Sequence, residues 1–430
     1  MKERIILIIY RALLPALFIL AFPGWIVKMI RRGGFGTALN ERLGIYFSEI
    51  DYEPNGAVHL HAVSVGETIL ALKLLREWSS TFPYARFVLA TGTSTGHDTA
   101  TRASIPNLRV TYSPLDFPWM VKSYLRRFEP AKILLIEGEI WPNLLRICDK
   151  KKIPVMLANA RVSPRSAKRF QKFSPLLQPF FSRLDAVCIQ EKEHEALWQQ
   201  LGVPPENIHF TGSLKFDPQS VNPPTPRSDF AEMLAAFGEN RPVILAASTF
   251  PGEEILIAEA IHAADPNFLP VIVPRHAERR SEVFQDLSQV GFSVTLRSMF
   301  PEKIATGDKQ VFVIDSTGEL ATWTAHADSV IIGKSFQSHG GQNPAEAIIA
   351  SKPLILGPHM ENFQPLVRNL LAVGGALTAV NQSAITTAIQ TSLLPTESKR
   401  LTENASRILS LHQGATQRHL KVLQTGSEHA

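Results

Sequence analysis

At 430 residues, with 45% hydrophobic and 19% charged residues, the chain has material for two globular domains of ordinary size. Its net charge of +5 suits an acidic small molecule or an anionic membrane surface, is too weak to argue for nucleic acid, and is accompanied by no zinc-finger, homeodomain or aromatic RNA-binding pattern. The two cysteines, Cys148 and Cys188, each lie among apolar residues and read as buried thiols of a reducing compartment, not as a disulfide or metal site.

The chain opens on an apolar stretch, Ile5 to Ile30, interrupted by Arg11, Pro15 and Pro23-Gly24. A helix from Ile5 to Val27 would run about 35 Å and could cross a bilayer; counted from Ala12 it would run only about 24 Å. Lys28, Arg31 and Arg32 follow, and no small-residue cleavage site is evident. A retained membrane anchor over residues 1–34 is therefore expected, with the main body on the cytoplasmic side, although Lys2 and Arg4 weaken that orientation. Spanning the bilayer and lying in its interface both stay open.

From residue 35 to 217, apolar runs alternate with amphipathic segments. Ala57–Val63, Arg86–Ala90, Ile133–Ile136, Pro154–Ala158, Ala186–Ile189 and Ile208–Phe210 have strand character, and Thr68–Trp78 has a helical pattern. This rhythm predicts a mainly parallel sheet covered on both faces by helices. The proline-rich segment at 218–226 breaks it and marks a linker. A second α/β domain is expected over 227–390, with strands at Pro242–Ala247, Leu269–Val273, Gln310–Ile314, Val330–Gly333 and Leu354–Leu356. Residues 391–430 look helical and are expected to pack back on the first domain. The predicted fold is α/β, two Rossmann-like halves facing a cleft.

Ligand residues of such sheets lie beyond the carboxyl ends of the strands. After the first strand stands Glu67, at the opening of a helix; a carboxylate there suits the helix dipole and equally suits a general base. Glu137 and Glu139 follow the strand ending at Ile136, before Trp141-Pro142, a pattern hard to reconcile with a solvated face. Lys215 follows the strand ending at Phe210, where it is either an ordinary boundary lysine or a cation for developing negative charge. In the second half, Arg275 follows Pro274 and is placed for a phosphate or carboxylate fork. Thr317, Gly318 and Glu319 follow the strand ending at Ile314. The stretch from Ser329 to Phe363 reads as one βαβ unit, with Gly340-Gly341 in its loop. Asn343 serves there as expected N-cap, Pro344 as first helical residue and Glu346 reaches back, so free N–H groups would favour an anion.

One hydrolase-like signal occurs: Gly92-Thr93-Ser94-Thr95-Gly96 fits the nucleophile elbow, though a Ser/Thr-rich turn explains it as well and no acid and histidine stand out to follow it. No P-loop, strand-end GxGxxG or HExxH is present. His61, His276, His339 and His359 are dispersed in sequence, which speaks against a zinc site.

The segments HAVSVGE (61–67), EGEIWPN (137–143), NARVSPRS (159–166), GSLKFD (212–217), PRHAER (274–279), STGEL (316–320) and GGQNPAE (340–346) resemble, in order, those of the Kdo transferase family. Members move 3-deoxy-D-manno-oct-2-ulosonic acid (Kdo) from CMP-Kdo to a lipid A precursor, lipid IVA. The resemblance, from the N-terminal anchor to about residue 365, implies a GT-B glycosyltransferase of the bacterial inner membrane that inverts the anomeric carbon without a metal or other cofactor. It implies Glu67 as proton acceptor and Glu137 and Lys215 as transition-state stabilisers. It places CMP at Pro274, Arg275, Thr317, Gly318, Glu319, Asn343, Pro344, Ala345 and Glu346. Arg161, Arg165, Lys168, Arg169 and Lys172 form a basic stretch that suits lipid phosphates or an anionic bilayer, or else a solvated helix face. Gln342, Ala345, Lys334 and Phe250 depart from the family's usual His, Leu, Gly and His. Other readings are a GT-B enzyme with another nucleotide sugar, a related epimerase, or a membrane-attached nucleotide-sugar-binding protein without catalysis.

Overall fold

The computed structural model describes residues 2–31, 39–46, 56–138, 140–162, 164–217 and 224–424. Two compact units divide the chain: Met1–Asp217 with Gly414–Ala430, and Pro218–Gln413.

The first unit holds a seven-stranded parallel sheet. Its strands are β1 (Val58–Ala62), β2 (Phe87–Thr91), β3 (Leu108–Tyr112), β4 (Lys132–Ile136), β5 (Val155–Ala160), β6 (Ala186–Ile189) and β7 (Ile208–Phe210), in the order 3-2-1-4-5-6-7. Successive side chains of a strand point to opposite faces, and here both faces are cores. Ile133 and Leu135 pack with Tyr124, Leu144 and Phe181 on one side. Leu134 and Ile136 pack with Leu74, Trp78 and Leu420 on the other. That double coverage is why the central strands read as unbroken apolar runs.

The second unit repeats the plan with β8 (Val243–Thr249), β9 (Leu269–Pro274), β10 (Ser293–Leu296), β11 (Gln310–Val313), β12 (Ser329–Ile332), β13 (Leu354–Leu356) and β14 (Leu377–Thr378), in the order 10-11-9-8-12-13-14. Strands β3, β10 and β14, absent from the sequence reading, are all sheet edges. Leu108-Arg109-Val110-Thr111 is half-buried over its first three residues, and Ser293-Val294-Thr295-Leu296 is buried from Val294 on but broken by Thr295, so neither carries a continuous apolar run.

Two expectations are corrected. The helices Gln382–Leu393 and Pro395–Ser410 belong to the second unit, and the chain rejoins the first only at Gly414, not at residue 391. Helix Ala415–Gln424 then places Leu420 and Leu423 in the first unit's core. Asp217 directs this return: its carboxylate accepts from the N–H of Gly414 and Thr416 (2.9 and 2.8 Å) and from the Thr416 hydroxyl (2.7 Å). The helix after β12 is also shorter than expected: it runs Ala345–Ile349, with Pro344 as its cap. Asn343 lies one residue outside and accepts from the Ala345 N–H at 3.2 Å. With five residues its dipole is small, so anion binding there rests on individual groups.

The N-terminal helix Lys2–Arg31 belongs to the first unit. Residues Glu3–Gly24 have a mean hydropathy of 2.5, long and apolar enough to cross a membrane. One stripe of this helix docks on the unit. Arg183 donates to both oxygens of Glu3 at 2.9 Å, Tyr10 donates to Asp116 (2.9 Å), Arg11 to Asn143 (2.7 Å), and Phe18 meets Phe117 edge-on. Ile8, Leu13, Leu17, Ile19 and Leu20 are exposed.

Candidate active site

In the first unit the strand order reverses between β1 and β4, so the loops after these neighbours diverge and leave a crevice at their carboxyl ends. Glu67 stands after β1 and Glu137 after β4. Ser64 caps helix Val65–Thr81 through the Glu67 N–H (3.2 Å). The Glu67 carboxylate turns back to accept from the Val63 N–H (2.7 Å) and the Ser64 hydroxyl (2.9 Å). This reciprocal cap fixes the carboxylate at the strand end.

Glu67, Glu137 and Arg161 line one pocket of about 320 Å³ together with Ile140, Phe170 and Trp198. Glu137 has a left-handed backbone (φ 64°), stabilised from both sides: its N–H donates to the Ala158 carbonyl, and its own carbonyl accepts from Arg161 (2.9 Å each). Burial raises the Glu137 pKa; Arg161 opposes the shift, Glu67 adds to it, and Lys215 also opposes. Burial lowers the Lys215 pKa, against the pull of Glu137. The structure thus gathers Glu67, Glu137, Lys215 and Arg161 into one electrostatic group. Arg161 is thereby separated from the rest of the basic stretch: Lys168, Arg169 and Lys172 are exposed on helix Pro164–Phe181, and the side chain of Arg165 lies outside the described residues, as does Glu139.

Asn159, given no role in the sequence reading, joins these parts. It sits at a register shift in β5 with φ 54° and is fully buried. Its Oδ1 accepts from the Leu214 N–H (2.9 Å), the residue before Lys215; its Nδ2 reaches Glu137 at 3.5 Å; and its N–H donates to His419 Nε2 at 3.0 Å. His419 donates through Nδ1 to the Ala415 carbonyl (2.8 Å), so the bare Nε2 is the acceptor, and burial lowers its pKa to about 4. Nothing local in the sequence announces this, because the partners are distant in the chain. The Gly92–Gly96 elbow has a structural account: Thr93 caps helix Ser94–Thr101 by accepting from Gly96 at 3.1 Å, and a Cβ on Gly92 would lie 2.6 Å from the Val63 carbonyl.

In the second unit the reversal falls between β8 and β12. Arg275 follows Pro274 at the end of β9, its N–H bound to the Thr249 carbonyl (3.0 Å). Burial raises the Glu346 pKa, and the charge of Arg275 opposes this. Glu319 is held by Arg297 (2.7 Å) and by Ser316, beside Gly318 at φ 84°. Thr317 stands in that same turn, and Asn343, Pro344 and Ala345 lead into the helix that carries Glu346.

Glu253, which reads in sequence as one more acid at a helix start, is fully buried and organises the loop after β12. Its carboxylate accepts from four backbone N–H groups, of Phe250 (3.0 Å), Lys334 (2.6 Å), Ser335 (2.9 Å) and Phe336 (3.0 Å). Two departures from the family pattern meet here: the Lys334 ammonium lies 5.0 Å from the centre of the Phe250 ring. The histidines that read as dispersed are partly gathered by the fold: His339 and His359 have ring centres 4.0 Å apart, beside Glu361.

A family model described as 3-Deoxy-D-manno-octulosonic-acid transferase (kdotransferase) matches residues 37–218. A 3-deoxy-D-manno-octulosonic acid transferase of Haemophilus influenzae is 32% identical over 412 residues, covering 94% of this chain and 95% of its own. The enzyme of that name from Bordetella pertussis is 34% identical over 384 residues, covering 85% and 86%. Among solved structures, Anabaena HepE in complex with UDP covers 86% of this chain and 100% of its own, with TM-score 0.57 and 14% identity. A UDP-N-acetylglucosamine 2-epimerase covers 87% and 97%, with TM-score 0.56 and 12% identity. At such identities these two structures establish the fold alone, the GT-B class of paired Rossmann-like sheets.

Proposed function

The chain belongs to the 3-deoxy-D-manno-octulosonic-acid (Kdo) transferase family, and on that premise we propose how its residues divide the work of moving Kdo from CMP-Kdo onto a lipid A precursor. Glu67 is the general base. It takes the proton of the acceptor hydroxyl as that oxygen attacks the anomeric carbon; the bond from that carbon to the CMP phosphate breaks, its electron pair leaves with CMP, and the configuration inverts. The observation that carries this reading is the placement of Glu67 on one pocket with Glu137 and Arg161. Glu137 and Lys215, each shifted by burial toward its neutral form and by the other toward its charged form, balance charge in the transition state.

The second unit holds the donor. Arg275 supplies the cation for the CMP phosphate, and Thr317–Glu319 and Asn343–Glu346 supply polar and backbone groups around the nucleotide. No step in this scheme draws on a metal or other cofactor. The N-terminal helix holds the enzyme at the cytoplasmic face of the inner membrane. Its docked stripe, from Glu3 to Phe18, extends about 22 Å along the axis, which favours a helix lying in the interface over that length with its exposed apolar side toward lipid.

The test is to incubate the purified protein with CMP-Kdo and a tetraacylated lipid A precursor, beside Glu67→Gln, and to read the products by mass. One or more Kdo increments with the wild type and none with the variant are expected. Glutamine can still accept at the Val63 N–H, so the variant should fold. Turnover within tenfold of wild type by the variant would remove Glu67 as the base, since general-base catalysis contributes about 10²–10⁴-fold. Bound CMP-Kdo without turnover by the wild type would point to another acceptor or to a binding protein.

A further inference from the structure

Among the described residues, and outside those assigned to catalysis and CMP, the fold brings together one set of metal-ligating side chains, His339, His359 and Glu361. His339 lies in the loop after β12; His359 and Glu361 lie in the loop after β13. The Nδ1 atoms of His339 and His359 stand 3.2 and 3.5 Å from the same Glu361 oxygen, Oε1. Ligand atoms from the three residues all lie within 4.8 Å of one another. In a tetrahedral zinc site with bonds of about 2.0–2.1 Å, neighbouring ligand atoms stand about 3.3–3.4 Å apart. The two observed separations bracket that value.

Backbone contacts bring the two loops together. The Gly340 N–H donates to Glu361 Oε2 at 2.8 Å, which leaves Oε1 turned to the histidines. Asn362 N–H donates to the Gly340 carbonyl (3.1 Å) and His359 N–H to the Ser335 carbonyl (3.0 Å). The loops approach so closely that a Cβ on Gly340 would lie 2.4 Å from the Asn362 amide, and one on Gly341 would lie 2.3 Å from the Met360 sulfur. Both glycines have positive φ, 109° and 69°. Carboxylates that ligate a metal are themselves commonly hydrogen-bonded, and the Gly340 N–H serves Glu361 in that way.

We propose that His339, His359 and Glu361 form a site for a divalent transition metal, zinc in the first instance, with a fourth position open to solvent. Two imidazoles and one carboxylate suit Zn²⁺ over Mg²⁺ or Ca²⁺, which prefer oxygen ligands in greater number. Bound metal ties the loop after β12 to the loop after β13. The first of these runs on directly into Asn343–Glu346. The metal therefore acts as a clamp that pre-orders the nucleotide-binding segment and takes no part in bond making; this last clause rests on the assignment of CMP to that segment.

The direct test needs no turnover. Untagged full-length protein in detergent is titrated with Zn²⁺ against a chromogenic chelator, beside His339→Ala, Glu361→Gln and, as control, His276→Ala. One tight equivalent is expected in wild type and control, weakened by more than about tenfold in the other two, with Mg²⁺ not competing. His339 is largely exposed, so its removal leaves the fold intact. No tight equivalent, or equal binding by both site variants, overturns the site. CMP binding is then measured with and without Zn²⁺. Tighter CMP binding with zinc is expected in the wild type and is absent from His339→Ala and Glu361→Gln. Zinc bound with CMP affinity unchanged would overturn the clamp and leave the metal site, whereas no CMP binding in either state would strike the nucleotide assignment.

Discussion

Asn159→Ala is the substitution from which the structure yields the sharpest number. Two losses add. The Leu214 N–H loses its acceptor in a buried setting, which costs about 1–3 kcal/mol. Alanine must also hold φ 54°, a conformation that costs about 1–2 kcal/mol for residues other than glycine, asparagine and aspartate. The first unit should therefore lose about 2–5 kcal/mol. Calorimetry of the whole protein reads this, with CMP added to mark the second unit's transition by its upward shift. The other transition should fall and the CMP-sensitive one should stay. Activity should drop further than stability explains, because Leu214 anchors the turn that carries Lys215, and a displacement of about 1 Å at a reacting group can cost about 100-fold. We expect kcat down about 10–100-fold with the donor KM unchanged. Asn159→Gly separates the two terms, since it loses the hydrogen bond and tolerates the backbone. If alanine leaves both the transition and kcat within error, Asn159 is a bystander and the coupling between β5 and the Lys215 turn is wrong.

Arg275→Ala should weaken CMP binding about 10–100-fold by titration calorimetry, the loss of a charged hydrogen bond of about 1.5–3 kcal/mol, and should push Glu346 further toward its protonated form. Glu253→Gln replaces one acceptor oxygen by a donor that faces backbone N–H groups; a loss of about 3–5 kcal/mol in the second unit and weaker CMP binding are expected, and unchanged thermal unfolding would refute the loop-organising role. His59, His61 and His419 are held neutral by burial, the last two with pKa of about 4. Their unfolded forms bind protons near pH 6.5, so stability is full above that value and falls as pH drops toward 4. Asp116, raised by burial to about 6, acts in the opposite sense below that pH, so these four groups together should take up about two protons on unfolding at pH 5.5.

Most of the sheet architecture was legible because a parallel strand buried on both faces must be apolar throughout, and Leu134 or Ile331 can sit nowhere else. Three of the four edge strands were not, since Arg109 and Thr111 in β3 and Ser293 and Thr295 in β10 interrupt the apolar run and β14 has only two residues. Within the site, Glu67 and Glu137 stood out as acids at strand ends, where an apolar run stops abruptly. Lys215 was recognisable only through its motif. Asn159, Arg161 and Glu253 carried no such contrast. An asparagine closing a strand, an arginine in a basic stretch and a glutamate opening a helix each have an ordinary local explanation, and their roles come from partners such as Leu214, Glu137 and Ser335. The Phe250 and Lys334 departures looked like two separate changes until the fold set them in contact.

The return of the chain at Gly414 has a bearing on how the molecule is made. Asn159 and His419 are 260 positions apart, so the ribosome releases β5 long before the residue that accepts from it. The whole second unit is synthesised while the first still lacks Leu420 and Leu423 in its core. A chain interrupted before residue 414 would keep the strands of both sheets but lack the His419 contact to Asn159. The last helix thus supplies both the acceptor for the Asn159 N–H and two side chains of the first unit's core.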